Sequence, residues 1–306
     1  MSKELIETGT IYPIPAAERY GSARDLFTIW FGGNLMILTV TTGSLTTTVF
    51  HLSPLAALCS LVAGNLCGGL LMALHAAQGP ALGVPQMVQA RGQFGTWGAA
   101  LITVLVVLMY VGFTASNLVL GSSTLDLVSP KLGHVKAVIL IALLCVFPAL
   151  AGYRALHWAG KPGTVLGAIA VALCGFSFLV AGPALTQATH FAPSDTLIHF
   201  LGAFSIIALW QIAFAPYVSD YSRYLPNTTE GTRKAFIATY AGSCLGGFLP
   251  MLIGLVAGIG LATNGSVIEA LASQLGWLTW PVFAAFTLGI TGPLDFNVYC
   301  ATLSFL

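Results

Sequence analysis

Ala208–Pro226, ALWQIAFAPYVSDYSRYLP, is the stretch whose reading decides the fold, because an apolar helical run there meets Pro216 and then turns polar. In a helix that crosses lipid, the backbone polar groups satisfy one another, since the hydrocarbon offers no water. Pro216 has no N–H and its ring crowds the preceding turn, so carbonyls near Ile212 and Ala213 lose their donors. Such carbonyls are free to face a cation or a ligand. Trp210 and Gln211, just before the break, supply a flat stacking face and an amide that both donates and accepts. The plainer alternative is a kinked helix with an interfacial Trp, proline being more frequent in membrane helices than in soluble ones.

Composition sets the environment. Apolar residues make up 57% of the 306 and charged residues 7%, with a mean hydropathy of +0.88. No water-soluble domain of this length has that balance, so the chain is a polytopic, all-α membrane protein. A formal net charge of +1, with no basic cluster longer than Arg233-Lys234, excludes nucleic acid as a partner. The six cysteines lie in apolar runs without a CxxC pair and are expected to be small core residues. The polar start, MSKELIETGTIYPIPAAERYGSARD, is not a secretory signal. The histidines form no HExxH or paired-ligand spacing, and there is no phosphate loop or GxSxG, so nothing marks an enzyme.

Eight stretches are candidates to cross a hydrocarbon layer of about 30 Å: Leu26–Phe50, Pro54–Ala77, Thr96–Leu125, Val135–Leu150, Pro162–Leu185, Thr196–Val218, Ala235–Thr263 and Gly276–Leu306. The cations test this count. Lys3, Arg19, Arg24, Arg91, Arg154, Lys161, Arg223, Arg233 and Lys234 all fall on one side, and only Lys131 and Lys136 on the other. By the positive-inside rule the N-terminus and the loops after spans two, four and six are cytoplasmic. The expected location is the inner membrane.

Span one, IWFGGNLMILTVTTGSLTTT, carries Gly32-Gly33-Asn34 and then a run of hydroxyls. Glycines let a helix unwind or approach a neighbour closely, and an intramembrane Asn needs a partner. A packing face of small residues is the alternative. Spans one and six each carry an interruption and are separated by four uninterrupted spans, the pattern of five-helix inverted repeats with substrate and coupling ion near the midplane. In span three, Tyr110, Thr114 and Asn117 at i, i+4 and i+7 share a face. After span six, Asp220 and Arg223 at i, i+3 are placed to pair at the cytoplasmic rim, as a structural or inner-gate element or as surface decoration. Span eight holds an intramembrane acid, Asp295, near Thr291 and Asn297, and Pro293 interrupts the same run.

Four stretches carry a family resemblance: IWFGGNLMILTVTTG, MALHAAQGPALGVPQMVQARGQFG, MYVGFTASNLVLG and APYVSDYSRYLP. On these the chain resembles the nucleobase:cation symporter-1 family, in its bacterial purine/cytosine permease branch. The resemblance implies a fold of twelve spans, inverted five-helix repeats plus two further helices, of which eight are present here. Residues 1–23 would be a cytoplasmic tail, 24–190 the first repeat and 191–306 an incomplete second one. The chain resembles a fragment that would not transport alone. The implied activity is uptake of a nucleobase or related heterocycle (cytosine, a purine, hydantoin or allantoin) with a sodium ion or proton, by alternating access. The implied partners are that heterocycle and the bilayer, with the protein acting as a monomer and no cofactor beyond the coupling ion.

Carried over by position, the span-three aromatic falls on Tyr110 and the polar residue one turn later on Thr114. The span-six position falls on Trp210 or Gln211, and the span-eight Asn on Asn297; Asn34 joins them in reading the substrate. The cation site falls on the span-one break at Gly32 and Gly33 with Thr291, while Pro216, Asp220 and Arg223 belong to the break and the gate. Two departures stand out. Tyr110 occupies a position where several relatives have Trp, and Gly292-Pro293 replaces hydroxyls that sodium-coupled relatives tend to offer, which makes a proton on Asp295 the alternative coupling ion. A channel or a non-transporting helical scaffold is the competing class, though no selectivity-filter sequence or charged ring is present.

Overall fold

The computed structural model describes residues 11–151, 153–180, 193–260 and 266–305, with side chains except at 145–160, 291–296 and 305. Every regular element among them is helical. Helices α1 (Ala23–Gly32) and α2 (Ile37–Thr48) are the halves of span one, bent by 60°. The bend follows from local hydrogen bonding. The Asn34 amide turns to the Phe31 carbonyl at 3.3 Å, and that of Leu35 to Gly32 at 3.0 Å. The Asn34 side chain then donates to the Trp30 carbonyl at 2.7 Å, replacing the bond its own amide would make in a continuing helix.

Helix α3 (Pro54–Ala76) is span two, started by Pro54 and capped by the Ser53 hydroxyl, which accepts from Ala56 N at 3.3 Å. The short α4 (Gln78–Leu82) ends at Gly83, whose φ of 70° is one that glycine adopts without strain. Helix α5 (Gln86–Val128) bends at Gly95 (φ 67°), so residues 86–94 form an arm before span three proper. Then come α6 (His134–Ala151), α7 (Tyr153–Val180), α8 (Leu197–Ile212), a 3₁₀ turn at Ala215–Tyr217, α9 (Val218–Ser222) and α10 (Thr229–Ile259). Helices α11 (Val267–Leu275), α12 (Thr279–Gly289) and α13 (Thr291–Phe305) complete the described chain.

Among the described residues, five helices are long and apolar enough to span a membrane, or six with the bent pair counted as one. The eighth stretch is interrupted at Ile290, between α12 and α13, where Pro293 accounts for it: α12 ends at Gly289, whose carbonyl is the one four residues back that Pro293 has no N–H to serve. The cysteine expectation also needs correction: Cys174, Cys244 and Cys300 are buried, but Cys59 and Cys67 are exposed. They share α3 with Leu55, Val62, Leu66 and Leu70, which are exposed as well. An apolar face suits lipid as well as core.

The two ends of the bundle are tied separately. At one end the Arg19 guanidinium donates to the carbonyls of Ile14 (3.0 Å), Pro80 and Leu225 (3.4 Å), and Gly21 N bonds Tyr224 O at 2.9 Å. The tail, the α3–α5 connection and the chain after α9 therefore share a face. At the other end, Ser194 N bonds His51 O and Ser53 N bonds Asp195 Oδ1, both at 2.7 Å. The α2–α3 and α7–α8 connections thus meet there.

One helix organises the packing. Gly242, Gly246, Gly254 and Gly258 keep a four-residue register on α10, with Pro250 at the intervening position, against Phe27 and Phe31 of α1 and Val40, Ser44 and Thr47 of α2. This lets the backbones approach closely, the main source of helix association where lipid is as apolar as the side chains. A Cβ at Gly254 would fall on the Val40 carbonyl. Gly254→Ala is accordingly expected to destabilise the protein by about 1–3 kcal/mol, as overpacking does. An unchanged thermal midpoint in detergent would show that this contact is not tight.

Candidate functional site

The two helix breaks meet in the middle of the bundle. Helix α8 stops at Ile212 because Pro216 has no amide for the Ile212 carbonyl, and the Tyr217 amide turns to Phe214 O at 3.3 Å instead of reaching Ala213. Directly before this break, Trp210 Nε1 donates to Asn34 Oδ1 at 2.7 Å, joining it to the break in span one. Both residues are buried, Asn34 completely.

Beside this junction is a void lined by Met36, Phe113, Asn117, Trp210, Ala213, Phe214, Tyr217 and Asn297. Its volume is about 10 Å³, room for a single water. A planar heterocycle needs its walls to part. Asn117 donates through Nδ2 to Phe113 O at 3.0 Å, while its Oδ1 is buried without a partner. An unmet acceptor of this kind costs about 1–3 kcal/mol, so it marks a place where a donor is wanted. Across Trp210 and Phe113 lies a larger apolar pocket of about 460 Å³, bordered by Thr42 and Leu45 of α2, Met109 of α5 and Leu209 of α8.

Aromatic rings close one side of the void. Trp30 meets Phe214 at 5.8 Å and Tyr221 at 5.4 Å edge-on, Phe214 meets Tyr217 at 5.7 Å, and Tyr110 meets Tyr217 at 5.1 Å. Beneath this floor, on the Arg19 side, are Asp220 and Arg223. They are buried, 2% and 0% exposed, which excludes surface decoration. Asp220 Oδ1 accepts from Gln86 N at 2.8 Å and caps α5. Arg223 reaches the Asp220 carbonyl at 3.2 Å and the Tyr299 hydroxyl of α13 at 3.5 Å. Ser219 and Ser222 cap α3 through the carbonyls of His75 (3.0 Å) and Ala76 (2.7 Å). This cover of caps explains the burial.

The remaining sequence candidates are distributed as follows. Trp210 and Asn297 line the void. Gln211 does not: its Nε2 donates to Asn65 Oδ1 (2.7 Å) and Ser243 O (2.9 Å), tying α8 to α3 and α10, while its Oε1 is buried without a partner. Tyr110 lies in the floor and Thr114 is half-buried, outside the lining; the residues of α5 that reach the void are Phe113 and Asn117. Asn117 is the i+7 residue of the face that Tyr110 and Thr114 share, whereas nothing in the sequence singles out Phe113, which the neighbouring helices bring to the void. Gly32 packs against Thr164 of α7, where a Cβ would have no room. Gly33 caps α1 through its amide to Ile29 O at 2.8 Å. The side chains of Thr291 and Asp295 lie outside the described residues. Hydroxyls of α2 are largely spent on their own helix, Thr41 and Thr42 on the carbonyls four residues back and Thr46 on Gly43 O.

Comparison with known proteins agrees with this architecture. Residues 13–306 match the family described as permease for cytosine/purines, uracil, thiamine, allantoin. The chain is 35% identical over 304 residues to the purine-cytosine permease YxlA of Bacillus subtilis, covering 98% of this chain and 65% of YxlA. It is 24% identical over 293 residues to the purine-cytosine permease fcyB of Emericella nidulans, covering 89% of this chain and 56% of the fungal protein. The chain thus spans between half and two thirds of the length of these relatives. Among solved structures its fold is similar to that of Mhp1, a nucleobase-cation-symport-1 family transporter in a closed conformation with bromovinylhydantoin bound. The TM-score is 0.76 at 16% identity, over 98% of this chain and 70% of Mhp1, a likeness of fold. This chain belongs to the family of permeases for cytosine, purines, uracil, thiamine and allantoin, and has the fold of a nucleobase-cation-symport-1 transporter.

Proposed function

We propose that the full-length protein is a secondary transporter that imports a nucleobase or a closely related planar heterocycle together with a cation. The observation that carries the reading is the unpartnered Asn117 Oδ1 at the void between Phe113 and Trp210. Aromatic faces bind any planar base, and an orphan acceptor selects one that offers a ring N–H. Asn297, which lines the same void, has both a donor and an acceptor for the same edge.

The two sides of the void support alternating access. The floor of Trp30, Phe214, Tyr217 and Tyr221 is made of side chains from α1 and the broken end of span six, so it opens only when those segments move. The Arg19 ties at that end fasten the same segments. The cation, sodium or a proton, is assigned to the span-one break near Gly32 and Gly33 with Thr291 or Asp295 of span eight. The backbone of α1 turns there, and a bound charge would favour the arrangement that also holds the base. The cytoplasmic N-terminus rests on the distribution of Lys and Arg, and the shared face of the tail and the connections after spans two and six supports it; the inner-membrane location is the setting that this reading implies.

Uptake of radiolabelled cytosine or adenine by cells producing the full-length protein is expected to be concentrative and to collapse when the sodium or proton gradient is dissipated. Uptake that only equilibrates would point to a channel. Trp210→Ala is expected to weaken binding by roughly ten- to a hundredfold, the loss of about 1–3 kcal/mol of stacking. Asn117→Ala is expected to cost about three- to tenfold and to narrow the preference for a base with a free ring N–H over its N-methyl analogue. A preference that is unchanged would place recognition elsewhere.

A further inference from the structure

Asn34 is completely buried in the turn that breaks span one, and both polar atoms of its side chain are engaged within the protein. Nδ2 donates to the Trp30 carbonyl and Oδ1 accepts from the Trp210 indole, each at 2.7 Å. It is not among the residues that line the void. Indole has a single donor, so this bond is the one directional constraint on the ring. The other ring contacts are edge-on to Phe113 at 5.9 Å and Phe214 at 6.3 Å, and such packing sets distance more firmly than it sets orientation.

We propose that Asn34 is a positioning residue, which acts on the substrate through Trp210 and makes the orientation of that ring depend on the conformation of the span-one break. Its backbone forms part of the turn, with its amide on Phe31 O and its carbonyl accepting from Met36 N at 2.9 Å. A change in the turn therefore moves the acceptor that holds the indole. The inference rests on the reading that a base stacks on Trp210.

The test is a double-mutant cycle on base affinity in the full-length protein, with adenine and cytosine as probes. Trp210→Phe keeps an aromatic face but removes the N–H. Asn34→Ala is expected to weaken binding by about three- to tenfold when Trp210 is present, the cost of one buried hydrogen bond, and by less than about twofold in the Trp210→Phe background. If Asn34→Ala does not fold, Asn34→Ser keeps a hydroxyl in the turn but is too short for the indole, and the same pattern is expected. Equal losses in both backgrounds would mean that Asn34 touches the base or acts only through stability, and would overturn the proposal while base binding itself stands. If the wild-type protein binds neither base, the transport reading fails and the positioning role fails with it.

Discussion

A helix is broken inside hydrocarbon only where something else satisfies the freed backbone, and that requirement shapes the centre of this molecule. In span one the substitute is a side chain: Asn34 supplies the Trp30 carbonyl with the donor that the turning backbone withdrew. In span six the proline creates the deficit, and a 3₁₀ turn continues the chain into α9. The hydrogen bond from Trp210 to Asn34 then makes the two breaks a single structure. Buried polar groups here are expensive unless paired, so the arrangement tolerates few alternatives.

The surrounding helices hold the junction tightly on one side and leave a small void on the other. Both halves of span one lie on the glycine stripe of α10, and Gln211 ties the end of α8 to α3 and α10. Against that body stand Phe113 and Asn117 of α5 and Asn297 of α13, with a void too small for a heterocycle between them. The proposed alternating access would part these walls. Asn117 Oδ1 faces that void without a protein partner, and a water or a bound base would relieve its cost.

Much of this was legible in the sequence, for reasons that can be named. Pro216 and Gly32-Gly33-Asn34 marked the breaks, because prolines and glycine pairs are costly in apolar helices unless the interruption is used. The cations sorted the connections to one face, where Arg19 now joins the tail to two of them. Other features depended on neighbours that no local pattern specifies. The face of Tyr110, Thr114 and Asn117 follows from spacing, but which of its residues reach the void, and that Phe113 joins Asn117 there, depends on the position of α8 and α13. Gln211 has the right chemistry for a base, yet its donors meet Asn65 and Ser243. Asp220 and Arg223 are hydrophilic and near a helix end, which leaves a structural pair, a gate and surface decoration all open by spacing; the caps that this segment makes on α5 and α3 bury it.

Where the base is held is the point on which transport by this protein turns. A structure of the full-length protein with adenine or cytosine bound would decide this directly. The expected result is a base stacked on Trp210, with its hydrogen-bonding edge toward Asn117 and Asn297 and the aromatic floor closed beneath it. A base bound away from Trp210, or seated in the apolar pocket beyond Phe113 with Asn117 still unpartnered, would contradict it.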